Sequence, residues 1–289
     1  MRLLCAWCLL CAVANPASAY LRSTTTGVPG KGLDVFWGTR SVVIKYNSAG
    51  TNQIDGTAEL FEAYRRSMAT WNAVSCSDFA FVDGGSTPNS LSGLDPRTRE
   101  PDRENLIVFR DDDWTHQKDL LALTTVIFSN TTGEIVDADL ELNSFRYSFS
   151  VSDTDVLNDV QNTVTHELGH VLGLDHPCGN DPSCGGDDLL KETTMYQNAP
   201  VGELKKRDLA QDDIDGLCAI YPLTVEVESD SDLADATMSA TSSSCHASPG
   251  AAASPLWWLV FALISSALAL RANLWRDVRA AYRARYRHR

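Results

Sequence analysis

Eleven residues, HELGHVLGLDH at positions 166–176, constrain this chain more than any other stretch. Three of the protein's six histidines fall inside them. In a helix, residues four apart share a face, so His166 and His170 aim their rings at one point. Glu167 lies next to that face, within reach of a water held there without being forced to ligate. Gly173 lets the helix stop and the backbone turn, and His176 can then return as a third ligand. Any fold for this chain therefore needs a helix that ends near Gly173 and a following segment that folds back over it. Imidazole nitrogen suits zinc, and three protein ligands leave a fourth position open for water, which separates catalytic from structural sites. The chemistry to expect is zinc-assisted hydrolysis with Glu167 as general base.

Hydrophobic periodicity around that string reads as one α+β domain. Residues 41–46, 79–82 and 105–110 read as short strands, and 122–128 and 135–142 as two strands joined around Asn130 to Gly133. Leu60, Phe61, Tyr64, Met68 and Trp71 share one face of a helix, with Glu59 and Glu62 early in it and Arg65 and Arg66 later, matching the helix dipole. A second helix is predicted over 155–172, with Ser152 and Asp155 as its capping arrangement. A last helix is predicted over 207–220. Residues 83–104 carry Gly, Pro and mixed charge without periodicity and read as a loop.

The ends differ from the middle. Residues 1–19 hold Arg2, an apolar run and Ala17-Ser18-Ala19, the pattern of a signal peptide cut before Tyr20. A single domain over 20–222 is followed by a Ser/Thr/Ala/acidic linker, 223–250, that cannot bury a core. Residues 251–270 are uncharged, with Trp257 and Trp258 near one edge, and 271–289 carry seven arginines. That order reads as a transmembrane or sorting segment with a cytoplasmic basic tail, the rest being exported. Eight of the 24 basic residues but only one of the 38 acidic ones lie in the two ends, so the exported part carries a net charge near −21. Such a surface excludes nucleic acid as a partner; the oligomeric state is not legible. Cys76, Cys178, Cys184 and Cys218 are the even set expected in an oxidising compartment. Three pairings are possible. The short Gly/Pro/Asp-rich loop between Cys178 and Cys184 favours that pair, with Cys76 to Cys218. Cys245 is left over in the linker.

HELGHVLGLDH matches the HExxHxxGxxH signature of the metzincin peptidases, and Thr194-Met195-Tyr196 resembles their Met-turn, in which the methionine floors the metal site without ligating it. Residues 206–222 (KRDLAQDDIDGLCAIYP) resemble the closing helix of the matrixin branch, and 57–72 its first helix. The likeness covers 34–222. It implies a metzincin-like zinc peptidase domain, with a twisted mixed sheet, an active-site helix and a C-terminal helix. It also implies a peptide or protein substrate lying extended against 122–128, with 195–201 walling the pocket for the side chain after the cut bond.

The departures matter as well. No cysteine stands between Tyr20 and the first strand, so no cysteine switch is expected. A second, structural zinc site needs more histidines, and only His116 is left in the domain, reading as a surface residue. Pro177 is more like the serralysin branch, whose metal-binding tyrosine lies two residues past the methionine; Tyr196 is one past, so that role is not carried over. Matrixins commonly hold calcium near strands like 135–142, and Asp137, Asp139 and Glu141 alternate along it; a solvated acidic face is the alternative. Asp181, Asp187 and Asp188 raise the same question. Cys245, the apolar span and the arginine cluster are similar to the myxobacterial C-terminal sorting tail, a plain anchor being the alternative. Two other functions share this zinc motif: hydrolysis of a non-peptide amide, and a zinc-bound adhesion module, which would not need Glu167.

Overall fold

A computed structural model describes residues 20–178 and 188–224. The signal segment, the linker beyond Thr224 with Cys245, the 251–270 span, the basic tail, Cys184, Asp181 and Asp187 lie outside the described residues. Among the described residues, no helix is long and apolar enough to cross a membrane.

In chain order the elements are β1 (Leu21–Arg22), β2 (Ser41–Asn47), α1 (Ala58–Asn72), β3 (Ala80–Thr87), β4 (Leu106–Phe109), β5 (Ala122–Phe128) and β6 (Ile135–Leu142). There follow β7 (Phe149–Ser150), β8 (Asn158–Asp159), α2 (Val160–Val171), β9 (Leu174–Asp175) and α3 (Gln211–Ile220). The main sheet has the order β3-β2-β4-β6-β5. Its first four strands pair in parallel and β5 joins β6 antiparallel, so the sheet is mixed and twisted, and β5 forms one edge. The class is α+β with three helices among the described residues.

Side-chain alternation explains the layers. In β2 the side chains of Val42, Ile44 and Tyr46 are buried while Ser41 and Val43 are exposed, so one face takes the core. β4, in the middle, is buried throughout. Leu60, Tyr64, Met68 and Trp71 of α1 meet Val164, Leu168 and Val171 of α2 in that core, and Trp71 Nε1 donates to the Thr165 carbonyl at 2.9 Å. The structure joins Cys76, just after α1, to Cys218 in α3. Cys178 is disulfide-bonded too.

Three boundaries differ from the expectation. The second helix starts at Val160 rather than 155, and neither Ser152 nor Asp155 caps it. Asp155 has φ 54°, in the left-handed region, and β8 pairs with β7 in parallel through Asn158 and Asp159, so the stretch ahead of Val160 is not helical. The cap is Asp159, whose side chain accepts from Asn162 N at 2.7 Å. Arg207 clasps the same carboxylate with Nε at 2.8 Å and Nη2 at 2.6 Å. In β3 the chain stays paired to Thr87, past Gly84-Gly85, because a register shift between Ile44 and Tyr46 absorbs the extra residue. Part of the expected loop is therefore strand. The last helix starts later too, at Gln211, after a single 3₁₀ turn at Lys205–Arg207.

Candidate metal centre

Helix α2 carries His166 and His170 one turn apart, and the chain reverses immediately after it. Gly173 sits at φ 92°, and a Cβ there would lie 2.6 Å from the Val35 carbonyl oxygen, so only glycine fits the reversal. β9 follows, pairing with β1, and delivers His176 back to the helix. His176 Nε2 lies 3.2 Å from His170 Nε2 and 3.3 Å from His166 Nε2. Nitrogens about 2.0–2.1 Å from one tetrahedral ion stand about 3.3 Å apart, so the spacing fits a single metal. These three form a group that could hold a metal ion, and no other group of three such residues converges among the described residues.

The rings are oriented from behind. His166 Nδ1 lies 2.7 Å from the Thr194 carbonyl, and His170 Nδ1 lies 2.9 Å from the Leu174 carbonyl. A carbonyl can only accept, so each Nδ1 carries the proton and each Nε2 offers its lone pair. Burial, reinforced by the nearby Lys206 cation and the neighbouring histidines, pushes the His166 pKa well below the usual imidazole value. Burial and then His170 push His176 down to about 3. Both stay neutral, which is the form that binds metal.

Beneath the site, Met195 is buried against the helix. A Cβ on Gly169 would lie 2.2 Å from Met195 Sδ, so the glycine between the two helical ligands makes room for the methionine. Asp213 of α3 fixes this turn, accepting from Thr194 N at 2.7 Å, Met195 N at 3.0 Å and Ala210 N at 3.0 Å. A chain of contacts thus runs from α3 through the turn to His166.

A cleft with a volume of about 1030 Å³ opens in front of the histidines, walled by β5 on one side and by Gln197 to Val201 on the other. Glu167 lies in it, 6% exposed. Its Oε2 accepts a 2.6 Å hydrogen bond from Thr124 Oγ1 on β5. Lys206, 2% exposed, also lines the cleft and donates to the Tyr196 and Asn198 carbonyls at 2.5 and 2.9 Å, tying down the far wall. Burial holds its pKa down to about 8, with Glu203 and Glu167 opposing.

Sequence reasoning singled out none of Thr124, Lys206 and Asp213. Each is an ordinary residue type in its local string, and only long-range packing brings it to the site. The wall expected at 195–201 begins at Gln197, because Met195 lies under the histidines rather than in the cleft. Lys206 adds a charge to that cleft. His116 is half-buried, with Nε2 3.1 Å from Glu141 and its ring edge-on to Trp114. The alternative of a solvated acidic face on β6 is corrected: Asp137, Asp139 and Glu141 are all buried. Asp139 accepts from Gly93 N and Leu106 N, and Glu141 pairs with Arg110 and His116, so protein donors already take two of the three carboxylates. Asp188 is exposed and pairs with Lys191.

No family model matches the chain. No curated protein matches it either. Among solved structures the chain is similar to one titled "Structure of Myroilysin", at 12% identity, over 70% of this chain and 85% of that one, with a TM-score of 0.34. A likeness that loose decides nothing about the chemistry, whereas the convergence of the three histidines beside Glu167 bears on it directly.

Proposed function

We propose that this chain is a zinc endopeptidase. The observation that carries the reading is the convergence of the His166, His170 and His176 Nε2 atoms beside the Glu167 carboxylate, in a cleft bounded by a free sheet edge. His166, His170 and His176 would hold the metal. When bound there, zinc supplies Lewis acidity, which polarises the scissile carbonyl and acidifies a water. Among the described residues β5 has a strand partner on its β6 side alone, and its outer edge takes an extended peptide as an added strand, which orients the cut bond across the cleft. Glu167 takes the proton of the attacking water and passes it to the leaving amine. The carbonyls of Thr194 and Leu174 keep the imidazoles in the tautomer this requires.

Glu167→Ala in the full-length chain is expected to retain one zinc per protein and to lose at least about 10²-fold in peptide turnover, since a general base contributes about 10²–10⁴. Zinc analysis and a peptide library read both. Zinc binding without cleavage by the wild type would leave the non-peptide amide or the adhesion reading. Near wild-type turnover in Glu167→Ala would remove the assigned base. Export is part of the same proposal, supported by the disulfide between Cys76 and Cys218 and by the signal-like residues 1–19. Mass spectrometry of the mature protein should find Tyr20 first and an altered C-terminus at Cys245. An intact tail to Arg289 with unmodified Cys245 leaves a simple anchor.

A further inference from the structure

The hydroxyl of Thr124 is the feature the proposed chemistry does not yet use. Ala122, Leu123, Thr124, Val126 and Phe128 of β5 line the cleft, while Thr125 and Ile127 do not. Strand propensity asks only for a β-branched side chain at such a position, and Val126, two residues on, meets that need without a hydroxyl. Thr124 and valine have the same shape, so packing explains the branching and leaves the oxygen unexplained. That oxygen stands 2.6 Å from Glu167 Oε2 and 3.3 Å from the Glu167 carbonyl. A hydroxyl has one proton to give, and the shorter, charge-assisted bond to the carboxylate takes it.

We propose that Thr124 is a positioning residue for Glu167: its hydroxyl anchors Oε2, leaving Oε1 as the oxygen that exchanges the proton. The inference rests on the reading of Glu167 as general base. A carboxylate on a glutamate stem has several free torsions, and a base must sit within hydrogen-bond reach of both the attacking water and the leaving amine. One anchored oxygen removes most of that freedom while Thr124 keeps its own proton throughout. The anchor stands on the edge strand against which the substrate would lie. The strand that registers the peptide thus also registers the base, and a movement of β5 would carry the two together.

The test is a series in the full-length chain: Thr124→Val, Thr124→Ala and Thr124→Ser. Anchoring requires the hydroxyl, so Ser should stay within about threefold of wild-type kcat. Val and Ala should each fall by about 10- to 10²-fold, the rate equivalent of one hydrogen bond to a charged group. KM and zinc content should hardly move. A packing role gives the opposite ranking, with Val active and Ser and Ala impaired, and that result overturns the inference. In a Glu167→Ala background, Thr124→Val should lower the residual rate no further. A second reading uses metal-free protein: the denaturation midpoints of Thr124→Val and Glu167→Ala should combine non-additively, because each removes the same bond. Strict additivity overturns the inference. The two layers fail separately. Full turnover in Glu167→Ala defeats the base assignment, whereas an inactive Glu167→Ala beside a fully active Thr124→Val defeats only the anchor.

Discussion

Asp137 is 0% exposed on β6, and among the described residues neither carboxylate oxygen makes a well-formed hydrogen bond, the nearby Ala138 and Arg103 N–H groups only partly opposing the cost of burial. Burial first, and the nearby Asp102 second, push its pKa up to about 6. An aspartate in the unfolded chain titrates near 3.9, or about 4. Between about pH 4 and 6 the native state therefore holds a proton that the unfolded state has released. The stability tied to this group is full below about pH 4 and is lost as pH rises through 6. Asp137→Asn, which keeps the shape without the charge, should gain on the wild type across that window, by as much as about 3 kcal/mol at pH 7. Asp139, pushed up to about 8 chiefly by burial, extends the decline in both proteins, so the readout is the difference between two denaturation curves in chelating buffer. A flat difference from pH 4 to 7 refutes the burial account. Calcium that restores the wild type alone would mark Asp137 as a cation ligand.

Helix α3 reaches the candidate metal centre without touching it. Asp213 is buried at its first turn, accepts three backbone N–H bonds, and sets the position of the Thr194 carbonyl that orients His166. Burial raises its pKa, and the same three donors oppose the rise. Asp213→Asn keeps the volume but turns one acceptor into a donor facing an N–H group. Partners that orient a metal ligand typically contribute about 10- to 100-fold in affinity, so zinc binding measured by chelator competition should weaken by about 10-fold or more. If stability falls while zinc affinity holds, the turn is a structural prop and does not orient His166. The cap of α2 shows the same dependence on distant partners, since Asp159 is clasped by Arg207 from beyond the metal site.

Across the whole molecule, the bond between Cys76 and Cys218 closes a loop of 142 residues that contains the entire sheet beyond β2 and the whole metal centre. In the chain-entropy account a loop of this length contributes about 4–5 kcal/mol. Joint Cys76→Ser and Cys218→Ser substitution should lower the unfolding free energy by an amount of that order, read from urea midpoints. A loss below about 1 kcal/mol would mean that α3 is held by packing alone. The histidine triad was legible in the sequence because its geometry is local: a four-residue helical spacing and a glycine that permits the reversal. The strand pair 122–128 and 135–142 was legible too, because a short turn from Asn130 to Gly133 joins two neighbouring runs that pair directly. What surrounds the triad was not. Alternation along 135–142 fixes which residues share a face of the strand, but only the neighbouring strands decide whether that face meets water or the core, and here it meets the core. Thr124 and Glu167 are 43 residues apart, and Asp213 and Thr194 are 19 apart. No local pattern encodes such contacts, because each arises only when separate elements pack and must satisfy one another's buried polar groups.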